Sequence, residues 1–130
     1  PLIEGFEILL AEDNEINALI VLRHLEQFGA RVLRVNDGSA ALQAVHEALR
    51  GERARFDAMI LDIRMPGLDG IEVARRIRHA EQAAGAASCR IVALSADAVA
   101  AVAESARAAG VDAFLTKPVD LTRLRRAVVS

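Results

Sequence analysis

Apolar residues along the chain fall into five short runs, and between those runs they recur at helical spacing. Residues 6–11, Phe-Glu-Ile-Leu-Leu-Ala, read as a buried strand that stops at Glu12 and Asp13. Ala18, Val21, Leu22, Leu25 and Phe28 then share one face of a helix over residues 14–28, and Gly29 supplies its C-terminal stop. A β-rich second strand at residues 31–35 meets the turn Asn36-Asp37-Gly38, and a second helix over residues 39–50 turns Leu42, Val45 and Leu49 inward. Residues 51–56 are charged and loop-like. The run Ala58-Met59-Ile60-Leu61-Asp62 is too short for a buried helix, and the Pro66-Gly67 and Asp69-Gly70 pairs after it are turn chemistry, so Asp62 ends a third strand.

A third helix over residues 71–80 buries Ala74 and Ile77 and turns Arg75, Arg76 and Arg78 outward, as a solvated face. Residues 83–88 are small and flexible. Ile91 to Leu94 form a fourth strand ending at Ser95, and an Ala-rich helix over residues 98–109 closes at Gly110. Residues 113–116 form a fifth strand ending at Lys117-Pro118, followed by a last helix over residues 121–129. Such alternation predicts a doubly wound parallel α/β sheet with helices on both faces. Residues 1–5 lack periodicity and read as a linker end, leaving residues 6–130 as one domain.

Composition narrows the setting. The chain of 130 residues carries 16 Lys and Arg against 18 Asp and Glu, which leaves no basic footprint for direct nucleic-acid binding. Cys89 is the only cysteine, so an internal disulfide and a C-x-x-C site are excluded, and a reducing, cytoplasmic compartment is expected. No run approaches the roughly 20 apolar residues of a membrane span, so this domain is expected to make no membrane contact, any anchor lying elsewhere in a parent chain. Pro1 in place of Met points to a fragment of a longer protein. Without Trp or Tyr and with four Phe, the core must be aliphatic. His24, His46 and His79 stand on three different helices with no nucleophile beside them and read as surface residues. Cys89 reads as a small buried or edge residue.

The chemistry gathers where strands end. Glu12 and Asp13 close the first strand, Asp62 the third, Ser95 the fourth and Lys117 the fifth. With strand order 2-1-3-4-5, strands one and three adjoin at the switch point, where open α/β sheets bind ligands, and three carboxylates converge. Their repulsion demands a cation. Hard oxygen donors suit Mg²⁺, with Mn²⁺ as an alternative, and Mg²⁺ is usually shared with phosphate oxygens. There is no glycine-rich phosphate loop, which argues against a nucleotide. What remains is a phosphoryl group held by the metal, Lys117 and Ser95, with Asp62 as the nucleophile that forms an acyl phosphate.

Four motifs carry a resemblance. Glu12-Asp13-Asn14, the Asp62-Ile63-Arg64-Met65-Pro66-Gly67-Leu68-Asp69-Gly70 loop, Ser95-Ala96 and Phe114-Leu115-Thr116-Lys117-Pro118 together are similar to the receiver domain of two-component response regulators. The runs Glu12 to Asn17 and Ala109 to Pro118 especially resemble receivers fused to hybrid sensor histidine kinases. The resemblance implies a flavodoxin-like five-stranded fold and a phosphorelay switch. In it Asp62 takes phosphate from a phosphohistidine on a histidine kinase or histidine phosphotransfer domain. It further implies Mg²⁺ on Asp13, Asp62 and the Arg64 backbone carbonyl, with Glu12 acting through water. Ser95 would bind the phosphoryl group and draw in its loop while Phe114 turns inward. Arg64 and Asp97 would tune phosphate lifetime, and the Lys117–Pro118 bond would be cis.

Two alternatives stand beside this reading: a stand-alone single-domain regulator, and a Mg²⁺-dependent phosphatase working through an aspartyl phosphate. The second wants a carboxylate two residues after its nucleophile, where this chain has Arg64. A degenerate receiver that only binds protein is disfavoured by the complete set of strand-end residues. Dimerisation stays open. Beyond the motifs, Ile16, Leu19 and Ile20 fall opposite the buried face of the first helix, and are expected to dock a helical histidine-bearing partner.

Overall fold

Period-two alternation on the central strands divides the interior into two halves, one on each face of a single sheet. The computed structural model describes residues 2–129. It runs β1 (Glu7–Ala11), α1 (Glu15–Gln27), β2 (Arg31–Val35), α2 (Gly38–Leu49), β3 (Ala58–Asp62), α3 (Gly70–Ala83), β4 (Arg90–Ser95), α4 (Ala100–Ala108), β5 (Ala113–Thr116) and α5 (Leu121–Ala127). All four strand pairings are parallel, as the alternation predicts, and the order is β2-β1-β3-β4-β5, the one expected of the doubly wound sheet. Leu9, Ala11, Met59, Leu61, Ile91 and Ala93 point to the half-core beneath α2, α3 and α4. Their neighbours Ile8, Leu10, Ala58, Ile60, Val92 and Leu94 point to the other, beneath α1 and α5. Both faces of β1, β3 and β4 are covered, which is why these strands read as continuous apolar runs. Each fully buried Leu or Ile contributes about 1.5–3 kcal/mol, so the three central strands dominate the stability.

Every strand delivers its last residue to the same edge. The helices on the return path start on short polar caps: Asn14, Asp37, Asp69 and Asp120 each accept a hydrogen bond from a backbone N–H in the first turn of α1, α2, α3 and α5. Gly70, the first residue of α3, lies so close to the end of β3 that a Cβ there would sit 2.4 Å from the Asp62 carbonyl oxygen. Only glycine lets α3 start against the residue that ends the central strand.

Several expectations are corrected. Within the stretch read as a linker end, Ile3 is fully buried in the half-core beneath α1 and α5 while Leu2 and Glu4 stay exposed, and the Gly5 N–H donates to the Gly29 carbonyl at 2.9 Å. Arg78 does not belong to a solvated face with Arg75 and Arg76. Its side chain is only 17% exposed and donates to Glu81 Oε1 at 2.7 Å, to Asp112 Oδ2 at 2.8 Å and to the Gly110 carbonyl at 3.0 Å. Glu81, buried despite its charge, also accepts the Cys89 N–H at 2.7 Å. This pairing carries α3 one turn beyond its expected end at Ala80, because a polar residue that looks like a stop is satisfied internally. In α2 the buried stripe is Ala41, Ala44, Val45 and Ala48, with Leu42 and Leu49 at its margins. α4 starts two residues later and α5 stops two residues earlier than the apolar pattern extends.

Replacing Gly70 with Ala should destabilise the domain by about 1–3 kcal/mol, the usual cost of overpacking against backbone. Urea unfolding checks this, and a midpoint unchanged from wild type would contradict the close approach of α3 to Asp62.

Candidate functional site

Asp62 is 4% exposed at the end of the central strand, and both of its oxygens are engaged. Oδ2 accepts from Lys117 Nζ at 2.6 Å, and Oδ1 accepts from the Arg64 N–H at 3.0 Å. Lys117 reaches across from the loop after β5, and it also donates to Glu12 Oε1 at 3.2 Å. The Lys117–Pro118 peptide bond is cis, as the resemblance implies. One ammonium therefore bridges two buried carboxylates that come from different strands.

Glu12, Asp13 and Asp62 each offer a carboxylate oxygen within 4.8 Å of the others. Glu12 and Asp62 are buried and Asp13 is exposed, so the cluster is closed from below and open at the mouth. Hollows flank it on two sides. One, of about 470 Å³, is lined by Glu12, Asn17, Ile20, Lys117 and Leu121. The other, of about 550 Å³, is lined by Asp13, Arg64, Met65, Asp69 and Asp97. An all-oxygen donor set with an open side fits a hard divalent cation that keeps waters and shares its sphere with phosphate oxygens.

Charge crowding shows in the titration of the two partners. Burial, reinforced by the hydrogen bond and the negative charge of Asp62, raises Glu12 to about 7, although the Asn14 N–H at 3.1 Å and Lys117 pull the other way. Burial also works against the Lys117 ammonium. The hydrogen bond to Asp62 and the charges of Asp62 and Glu12 outweigh it, holding Lys117 above the ordinary lysine range. The lysine stays cationic throughout the physiological range.

Ser95 is buried at the end of β4, next to β3, and its Oγ accepts the Asp97 N–H at 3.0 Å. Asp97 in turn meets Arg64 NH2 at 2.5 Å, tying the loop after β4 to the loop after β3 across the mouth. Both side chains are substantially exposed, so this pair is worth at most about 1 kcal/mol. Phe114, on β5 beside β4, is half-buried against the half-core that also holds Ala106 and Val111. Ile16, Leu19 and Ile20 are 72%, 44% and 51% exposed, and leave an apolar strip on the outer face of α1 where the helical spacing predicts one.

Three residues have roles that the sequence reading does not assign: Arg34, which lies outside the motifs, and Asn14 and Gly70, which lie within them. Arg34 on β2 donates from Nε and NH2 to the Glu12 carbonyl at 3.0 and 2.8 Å and reaches the Asp13 carbonyl at 3.3 Å, pinning the acidic turn from outside. Its signal in the sequence is a charged residue in the middle of a β-rich run. Asn14 both caps α1 and donates its backbone N–H to Glu12. Gly70 seats α3 against Asp62. His24, expected as a surface residue, is half-buried, with its ring against Phe28 and its Nε2 3.0 Å from Arg125 NH1. Cys89 is half-buried at the opposite edge of the sheet, and burial pushes its thiol up to about 12, consistent with an inert residue.

The family model of the response regulator receiver domain matches residues 8–129. Sensor protein GacS of Pseudomonas syringae pv. syringae is 37% identical over 122 residues, which is 94% of this chain and 13% of that protein. The chain thus spans a small fraction of the length of that relative. Among solved structures, the receiver domain of sensor histidine kinase PA1611 from Pseudomonas aeruginosa PAO1, with a magnesium ion coordinated in its active site cleft, is 36% identical. It superposes with a TM-score of 0.79 over 95% of this chain and 94% of that one. The receiver domain of Ssk1 in complex with the histidine phosphotransfer protein Ypd1, from Saccharomyces cerevisiae, is 28% identical, with a TM-score of 0.87 over 98% of this chain and 88% of that one. No helix among the described residues is long and apolar enough to cross a membrane. Taken with the strand-end carboxylates and lysine, these likenesses establish that the chain belongs to the response regulator receiver domain family.

Proposed function

We propose that Asp62 is the phosphoacceptor of this receiver, which works as the phosphorelay module of a larger sensor kinase chain. The observation that carries the reading is the Lys117 ammonium bridging Asp62 and Glu12 at the edge of the sheet. An Asp62 oxygen attacks the phosphorus of a phosphohistidine; the P–O bond forms as the P–N bond breaks, the electron pair stays on the ring nitrogen, and the imidazole leaves neutral because its other nitrogen already carries a proton. Lys117 neutralises charge on the transferring group, and the Ser95 hydroxyl donates to one of its oxygens. Asp13, Asp62 and the Arg64 backbone carbonyl would hold Mg²⁺, with Glu12 acting through water. Bound there, the ion offsets charge on the equatorial phosphoryl oxygens.

The switch follows from the same contacts. Once Ser95 turns its hydroxyl to a phosphoryl oxygen, the loop carrying Asp97 is drawn toward Asp62 and leaves space into which Phe114 rotates. Arg64 and Asp97, which pair across the mouth and line the hollow beside Asp13, are assigned the tuning of phosphate lifetime. The strip Ile16, Leu19 and Ile20, beside the hollow that Ile20 and Lys117 share, is the docking surface for the helical histidine-bearing partner. Across such a surface one or two apolar anchors carry most of the binding energy.

Incubation with acetyl phosphate should give a single phosphoryl adduct by intact mass, dependent on Mg²⁺ and absent from Asp62→Asn. An adduct that survives in the variant would overturn the assignment. Glu12 sets a pH dependence: its raised value means that the free domain gains stability from the protonated carboxyl below about 4.5 and loses it as pH rises through about 7. Mg²⁺ affinity should therefore increase from pH 6 to pH 8 with release of a proton, and Glu12→Gln should flatten that rise. Calorimetry in buffers of different ionisation enthalpy reads both, since the chain has no Trp or Tyr to report optically. Replacing Ile16 and Ile20 with Lys should slow transfer from a phosphohistidine partner by about tenfold or more, the loss of an anchor or two, while sparing labelling by acetyl phosphate. Equal loss with both donors would contradict the docking role.

A further inference from the structure

α4 is held far more firmly at its C-terminal end than at its N-terminal end. Its N-cap is Val99, which offers no side-chain acceptor, whereas the other four helices each start on an Asn or Asp that accepts from the first turn. Val99, Ala100 and Ala101 are exposed, and within α4 only Ala106 is buried. The N-terminal half is thus tethered by the half-buried Val102, its own backbone bonds, and two contacts on the segment before it, the Asp97 N–H to Ser95 Oγ and the exposed Arg64–Asp97 pair.

The C-terminal end is bound in several directions at once. The Val111 N–H closes the helix by donating to the Ala106 carbonyl at 3.0 Å, and Gly110 takes a φ of +100°. Arg78, from α3, lies directly beneath: a Cβ at Gly110 would be 2.6 Å from the Arg78 Cγ. The Arg78 guanidinium donates to the Gly110 carbonyl at 3.0 Å and to Asp112 Oδ2 at 2.8 Å, and Asp112 Oδ2 also accepts the Ile91 N–H at 2.8 Å. Glu81, itself bound to the Cys89 N–H, fixes the third side of the guanidinium at 2.7 Å. One planar cation therefore joins α3, the start of β4 and the turn between α4 and β5, all at the edge of the sheet away from Asp62.

We propose that Arg78 is the pivot of α4: it fixes the C-terminal end of the helix and the start of β5, so the helix moves as a lever whose free end is the segment running from Ser95 to Val99. A pull on Ser95 is then converted into a swing of the N-terminal half of α4, while residues 106–112 stay in place. The coupling to phosphorylation rests on the phosphoacceptor reading above; the hinge itself is a property of the unphosphorylated domain. Arg78 touches no reacting atom and acts as a positioning residue.

Hydrogen exchange followed by mass spectrometry on the whole 130-residue chain tests both parts. In the unphosphorylated protein, amides of residues 99–104 should exchange at least about tenfold faster than those of residues 106–112. Arg78→Met should raise exchange in residues 106–112 by about tenfold or more, with β1 and β3 unchanged, and Arg78→Lys, which keeps the charge but not the fork, should restore only part of the protection. Val99→Asp provides a second arm that leaves the buried Arg78–Glu81 pair, and with it the folding of the domain, untouched. The added cap should slow exchange of residues 100–103 by about fivefold and leave residues 106–112 unaffected. Uniform protection along α4 in the wild type, or no response of residues 106–112 in a folded Arg78→Met, would overturn the pivot. After acetyl phosphate treatment, with the adduct verified by mass in the same sample, the change in exchange between residues 96 and 112 should stay within residues 96–105. A change spread through residue 112 would overturn the lever, whereas a missing adduct would count against the phosphoacceptor reading and leave the hinge to the first two arms.

Discussion

Three carboxylates at the ends of neighbouring strands, with one lysine among them, set the terms for the rest of this structure. Parallel pairing of β1 with β3 brings Glu12, Asp13 and Asp62 together, and the backbone relieves their repulsion only in part, through the Asn14 N–H on Glu12 and the Arg64 N–H on Asp62. The ammonium of Lys117 does so for two of them, and protonation of Glu12 does so below about pH 7. A resident cation and an incoming phosphoryl group are the natural completion of such a site, because each supplies the charge that the other lacks. The supports around it hold position: Arg34 grips the acidic turn through its carbonyls, leaving the carboxylates themselves free.

Much of this was legible in the sequence, for a specific reason. Strands buried on both faces must be apolar until they end, so the first charged or hydroxyl residue after each run marks the edge where the site lies. Glu12, Asp62 and Ser95 announce themselves in that way, and the glycine- and proline-rich loop after Asp62 confirms that the strand has stopped; Lys117 follows Thr116 on the half-buried edge strand β5 and is marked by the Pro118 after it. Helix boundaries were less legible. Glu81 looks like an end of apolar periodicity, yet it lies buried in α3 because Arg78 and the Cys89 N–H satisfy it. The partner Asp112 is 34 residues from Arg78, and a charged residue whose partners are remote cannot be distinguished by pattern from one that faces water. Ile3 was missed for a related reason: a single apolar residue has no period.

Electrostatic pairs in this domain differ in kind according to where they lie. Breaking a buried pair such as Arg78–Glu81 strands a charge in the interior, at a cost of about 3–5 kcal/mol, while the exposed Arg64–Asp97 pair is worth at most about 1 kcal/mol. The rigid network sits at the edge away from Asp62 and the weak pair sits at its mouth. Rearrangement is therefore cheap beside Asp62 and expensive at the far edge. That division is consistent with a domain that keeps its frame while one loop moves.

The direction of the chain has a topological consequence. Strands run toward Asp62 and helices run back, so β1 begins at the far edge and α5 returns there, where the Ala127 carbonyl accepts from Arg90, the first residue of β4. Entry and exit of the folded segment thus lie together on the side opposite the acidic mouth. Polypeptide joined at either point departs from the closed side, and the open side remains available to a docking molecule. The same winding that gathers the reactive groups also separates attachment from access, which makes the unit insertable into longer proteins without redesign of its chemistry.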